Sequence, residues 1–132
     1  MSTARDAYGT VYNKGTAVLM ARVVNASGQN LIRAHVSSIS YSVFELSTHG
    51  QDPQSPVTGH ENVSLNANDC VFDTLQNDGS WSVDSTGYNF RHEIDVSAAE
   101  AFTSPGATYL VRYEVTPVQG QRVVFRFMLR CL

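Results

Sequence analysis

The chain has 132 residues, 42% of them hydrophobic, and a formal net charge of −3. That is one domain's worth of sequence with enough apolar matter for a real core, which excludes a disordered chain. Lys14 is the only lysine, the arginines are scattered, and the acidic balance argues against electrostatic capture of nucleic acid.

The first residues, Met1 to Asp6, carry no apolar h-region, and no apolar run anywhere approaches a membrane span. The sequence therefore predicts neither a secretory signal nor a membrane contact. Residues 1–15 are polar, with Tyr8, Val11 and Tyr12 among them, and read as an N-terminal arm or an edge strand ahead of a sandwich domain over 16–132. Tyrosine gives a large contact area at low entropy cost, which makes Tyr8 and Tyr12 candidate protein-contact residues. Removing residues 1–15 is expected to leave the fold intact.

A strand is predicted from about Thr16 to Val24, followed by a polar turn from Asn25 to Asn30. The next runs from about Val36 to Leu46, with Ile39, Tyr41 and Val43 on one face and Ser38, Ser40 and Ser42 on the other. Ser47 to Asn62 is the least regular stretch, containing Gly50, Pro53, Pro56 and Gly59. Irregular loops longer than about 12 residues are uncommon in compact domains and often bind, so His49 and His60 are further candidate contact residues. Asn25-Ala-Ser27 and Asn62-Val-Ser64 fit the glycosylation triplet, but without a secretory route they read as chance.

Short strands are expected at about Val63–Leu65, Cys70–Leu75 and Trp81–Val83, with turns at Gln76–Gly79 and Asp84–Gly87. From Gly87 to Val96 the alternation is strict. Tyr88, Phe90, His92, Ile94 and Val96 point one way, and Asn89, Arg91, Glu93 and Asp95 point to a wet face. Ser97-Ala-Ala-Glu100 fits a capping box, predicting one short helical turn near 97–103 that Pro105-Gly106 stops. Alternation returns in strands at about Thr108–Thr116 and Arg122–Cys131, joined by Pro117-Val-Gln-Gly120. Arg112 and Glu114 share a face there as potential partners. The pattern specifies an all-β fold, an antiparallel sandwich or barrel.

Chemistry-bearing spacing is missing. The four histidines, His35, His49, His60 and His92, show no i,i+2 or i,i+4 pair, and no Cys-x-x-Cys occurs, so no metal is expected. His92-Glu93 lacks the second histidine of a zinc protease motif, and neither a Gly-x-Ser-x-Gly elbow nor a phosphate-cradling loop is present. Asp69, Asp73, Asp78 and Asp84 do not follow the spacing of a calcium loop. The sequence is read as no enzyme, with no cofactor and no small-molecule substrate. Cys70 and Cys131 read as small buried thiols. Trp81 and Tyr88 admit one alternative, a carbohydrate-binding sandwich with an aromatic platform.

Two resemblances refine this reading. Gly106-Ala-Thr-Tyr109, leading into an alternating strand after a short corner, resembles the approach to the penultimate strand of immunoglobulin-like sandwiches. The resemblance implies that Tyr109 is a corner tyrosine tied to upstream backbone, and that its replacement by Phe costs on the order of 1 kcal/mol. Val111 stands where the disulfide-bonded antibody type has cysteine, which leaves only the wider superfamily. The segments Ala21–Ile32 and Val36–Phe44, with Val71–Leu75, Trp81 and Thr86–Phe90, are similar to immunoglobulin-like modules of tailed-bacteriophage virion proteins and cover about half of the chain. That similarity implies an immunoglobulin-like antiparallel β-sandwich of seven to nine strands. It further implies a structural or assembly protein in capsid decoration, head-tail connection or the tail. Its partners would be other virion structural proteins and copies of itself, and its location the virion after synthesis in the host cytoplasm.

Overall fold

The alternating segments form two facing sheets in a computed structural model that describes residues 7–25, 27–46, 53–78, 81 and 85–132. Nine strands are present among these residues: β1 (Ala7–Val11), β2 (Val18–Ala21), β3 (Val36–Leu46), β4 (Pro53–Pro56), β5 (Val63–Leu65), β6 (Val71–Gln76), β7 (Tyr88–Glu93), β8 (Thr108–Pro117) and β9 (Val123–Cys131). The larger sheet runs β1-β9-β8-β3-β4, with β5 also paired to β3, and the smaller runs β2-β7-β6. Every pairing is antiparallel except that of β1 with β9. This is the strand arrangement of the immunoglobulin fold. β2, β7 and β6 stand where its strands B, E and D stand, and β3, β8 and β9 take the places of C, F and G.

Period-two burial explains why these residues form a sandwich. Ile39, Tyr41 and Val43 of β3, Tyr109, Val111, Tyr113 and Val115 of β8, and Phe125, Phe127 and Leu129 of β9 all turn inward and are buried. From the smaller sheet, Phe90 meets Tyr113 and Phe125 edge-on at centroid distances of 4.7 and 4.9 Å. Tyr113 and Phe125 stack on each other at 5.2 Å. Aromatic pairs in these geometries add about 0.5–1.5 kcal/mol each beyond the area they bury.

At the N-terminus of the described residues, Ala7–Val11 form β1 and lie beside Phe127–Cys131 in parallel register. Val11 is buried, the Leu132 N–H donates to its carbonyl, and the Lys14 N–H donates to Phe102 O. Loss of residues 1–15 would therefore uncover β9 and empty the place of Val11, contrary to the expectation that the fold is indifferent to it.

Two local expectations are corrected. Residues 97–103 form bends and no helical turn. The Ser97 N–H and hydroxyl both donate to Asp95 Oδ1, at 2.9 and 2.6 Å, so the serine closes an aspartate turn instead of capping a helix. Ala101 and Phe102 are then drawn fully into the core. The short helix forms at α1 (Ala67–Cys70), where the Asn66 side chain accepts the Asn68 N–H at 2.9 Å.

The stretch 47–62 is also less irregular than its prolines imply, within the part that is described. Pro53–Pro56 pairs with the end of β3, and the chain then turns so that Val43 donates to His60 O and accepts from Val57 N–H. Gly59 makes that turn at φ +87°, and a Cβ there would lie 2.7 Å from the Ala99 Cβ.

At the base of β8, Tyr109 is 1% exposed and its hydroxyl accepts the N–H groups of Thr103 and Ser104 at 3.1 and 2.9 Å. Phe102 meets its ring edge-on at 5.3 Å. That tie to upstream backbone is what a corner tyrosine makes. Cys70 and Cys131 are both free thiols in the interior, and burial followed by the Asp69 charge pushes the Cys70 thiol up to about 11.

Candidate functional site

The histidines illustrate how the fold uses polar groups internally. His60 is 2% exposed, its Nε2 faces Ala99 O at 2.8 Å, and its Nδ1 faces the Tyr41 hydroxyl at 2.8 Å. A carbonyl only accepts, so Nε2 carries the proton and Nδ1 accepts from Tyr41. Both ring nitrogens are spent inside the protein, which removes His60 from the contact surface that the sequence predicts. His92 sits against Tyr41 and Tyr113, with its Nδ1 2.7 Å from the Tyr113 hydroxyl. Burial, then the nearby Cys70 and Tyr41, holds the Tyr113 phenol well above its ordinary range, so it remains the donor to a neutral imidazole.

Burial lowers the His92 pKa to about 4. Because the folded value lies below the unfolded one near 6.5, the stabilisation is complete above pH 6.5 and is lost as pH falls from there to about 4. Unscreened, such a shift is worth roughly 3 kcal/mol, and solvent access to the ring reduces it to about 1 to 2 kcal/mol. Urea unfolding at pH 7 and pH 4.5 should show that loss in the native chain. In His92→Gln the two curves should lie closer together by the same amount.

The remaining sequence-predicted contact residues are dispersed. Tyr8 is held in β1 opposite Met128, Tyr12 is 72% exposed just after β1, and His49 lies outside the described residues. Trp81 and Tyr88 do meet, at 5.5 Å, but Tyr88 is 3% exposed, its hydroxyl donates to Asp78, and Phe72 covers it edge-on. They therefore do not present a two-ring platform. Among the described residues no group of three or more His, Cys, Asp or Glu is placed to hold a metal ion, and no helix is long and apolar enough to cross a membrane.

What the sequence reading missed is a cleft at one end of the sandwich. The β2–β3 connection and the β8–β9 turn converge there around a volume of about 350 Å³. The β2–β3 side is shaped by Asn25, whose Oδ1 accepts the N–H groups of Ser27 and Gln29. Gly28 follows at φ +83°, and a bridge pairs Val24 with Asn30. The β8–β9 side turns through Gly120 at φ +99°. The Val118 N–H donates to His35 O at 2.8 Å and joins the two walls.

Beneath the cleft, Asn89 of β7 fixes the β2–β3 connection. Its Oδ1 accepts the Val23 N–H at 2.7 Å, and its Nδ2 donates to the carbonyls of Val23 and Leu31, both at 2.9 Å. Leu31, Val118 and Val123 give the cleft its apolar lining, while Asn25, Gln119 and Gln121 supply amides and no aspartate, glutamate, lysine or arginine is present. His35 Nδ1 is buried there without a hydrogen-bond partner among the described residues. Such a group costs about 1–3 kcal/mol while unpaired and rewards whatever supplies its missing partner. The cleft is a neutral, mixed apolar and amide surface presented by turns on a rigid scaffold. Comparison with family models, with curated proteins and with solved structures finds no match to this chain.

Proposed function

We propose that the chain is a non-enzymatic assembly protein of a phage or phage-like particle, and that the cleft end docks a neighbouring structural protein. The observation that carries the docking reading is the convergence of the two connections around a cleft that lacks Asp, Glu, Lys and Arg and is lined by Val118, which is 65% exposed. An apolar anchor beside hydrogen-bonding amides is what the centre of a protein interface needs, and the Asn89 pin limits the entropy lost on docking. The particle context rests on the likeness of the opening hairpin and the Val71–Phe90 block to phage virion modules.

Co-expression with the structural proteins encoded beside it, followed by gradient sedimentation, tests this directly. The native chain should travel with the particle, and Val118→Glu should stay at the top of the gradient while melting within a few degrees of the native chain. A native chain that never enters a particle overturns the reading.

A further inference from the structure

The two ends of the sandwich carry features that complete each other. At the end opposite the cleft, β1 hands over to a tight turn in which the Gly15 N–H donates to Tyr12 O at 2.9 Å and Lys14 adopts φ +64°. The Asn13 N–H donates to Leu132 O at 3.0 Å and the Lys14 N–H to Phe102 O at 2.7 Å, so the turn is clamped on both sides. It presents Tyr12, the most exposed large hydrophobic side chain among the described residues at 72%, beside Leu132 at 52%. A tyrosine on a fixed turn loses little backbone freedom on docking, which suits it to anchor an interface.

The cleft offers what that side chain lacks. Val123 on its wall and Cys131 beside Val11 are the two ends of β9. They are separated by roughly 26 Å at the 3.3 Å rise of each strand residue. The volume of about 350 Å³ is at the small end of ligand pockets, which run to about 1,000 Å³, so it takes one aromatic side chain and not a helix. Leu31, Pro117, Val118 and Val123 supply apolar cover. His35 supplies an imidazole whose Nδ1 has no partner among the described residues. A phenol hydroxyl both donates and accepts, so it suits that imidazole in either tautomer, whereas a carboxylate or an ammonium suits only one. Arg33 and Arg122, the charged residues next to the lining in sequence, are engaged elsewhere. Arg33 donates to Val71 O and Asn68 O, and Arg122 bridges Glu114.

We infer that the neighbour docked in the cleft is a second copy of this chain, with Tyr12 of one copy inserted into the cleft of the next and its hydroxyl against the His35 imidazole. The inference rests on the docking reading and names its occupant. Because Tyr12 and the cleft lie at opposite ends of one molecule, the contact is heterologous and propagates into a closed ring or a filament. One inserted side chain buries far less than the roughly 1,200 Å² of a stable pair, so each junction is weak and the array holds by repetition.

Sedimentation velocity of the full chain from roughly 10 μM to 1 mM, a range suited to so small a contact, tests it. The native mass should rise past twice the 14.5 kDa of one chain. Tyr12→Ala and Val118→Glu should each remain single chains while melting within a few degrees of the native protein. Their equimolar mixture should form pairs and stop there, since two such chains share one intact Tyr12 and one intact cleft. Tyr12→Phe should associate about fivefold more weakly, the loss expected for one hydrogen bond. Single chains throughout the range would overturn the inference. So would native pairs that never grow, a mixture that stays single or grows past two, or assembly indifferent to Tyr12→Ala. A native chain that stays single yet enters the particle, when Val118→Glu does not, overturns this occupant and leaves the docking reading standing. Both fail if Val118→Glu self-associates and enters the particle like the native chain.

Discussion

Replacing Asn89 by leucine is expected to lower stability by about 4 kcal/mol and to loosen the cleft end. The side chain is 1% exposed and all of its assigned bonds go to backbone. Leucine has nearly the same volume, so cavity formation contributes little and the loss is one of hydrogen bonding. The Val23 N–H and the Leu31 carbonyl would be left buried without their partner, at about 1–3 kcal/mol apiece. The Val23 carbonyl keeps the Leu31 N–H, which limits the total. Urea unfolding measures the stability, and amide exchange should accelerate at Val23 and Leu31. Arg91→Leu, two residues along with the same parity but exposed, should move stability by less than about 0.5 kcal/mol. An Asn89→Leu chain within 1 kcal/mol of the native one would mean that the amide does not pin the connection.

Asn89 also marks where sequence reading stops. Period two correctly delivers β3, β7, β8 and β9, because each of these strands has one face against the other sheet. The same rule assigns Asn89 to a wet face along with Arg91 and Glu93. The parity is right and the burial is wrong, since the β2–β3 connection folds over that position. β1 is equally hard to read, because its partner β9 lies over a hundred residues away and Gly9 and Thr10 blur its pattern. His60 stands in a stretch rich in proline and glycine, which looks like loop, and its Tyr41 partner becomes visible only in space. The cleft follows the same logic. Asn25–Asn30 and Pro117–Gly120 each announce a turn, but their meeting depends on strand order, a non-local property.

Tyr109→Phe is the second large effect, expected at about 2 kcal/mol, above the on-the-order-of-1 figure that a single hydrogen bond implies. The ring stays, its edge contact with Phe102 stays, and the substitution removes one oxygen atom, so packing is nearly constant. That oxygen accepts two backbone donors, from Thr103 and Ser104, and both lose their partner together. Thr103 is exposed and Ser104 half-buried, so water recovers part of the loss and holds the effect near 2 kcal/mol, below the sum for two sealed donors. The tie also fixes how the β7–β8 connection reaches β8, whose Tyr109, Val111 and Tyr113 form the centre of the larger sheet's inner face. Faster amide exchange at Thr103 and Ser104, together with a lower urea midpoint at unchanged slope, would locate the loss in the native corner and not in the denatured chain. A phenylalanine variant within about 0.5 kcal/mol of the native protein would mean that the corner is held by Phe102 and Ala101 packing alone.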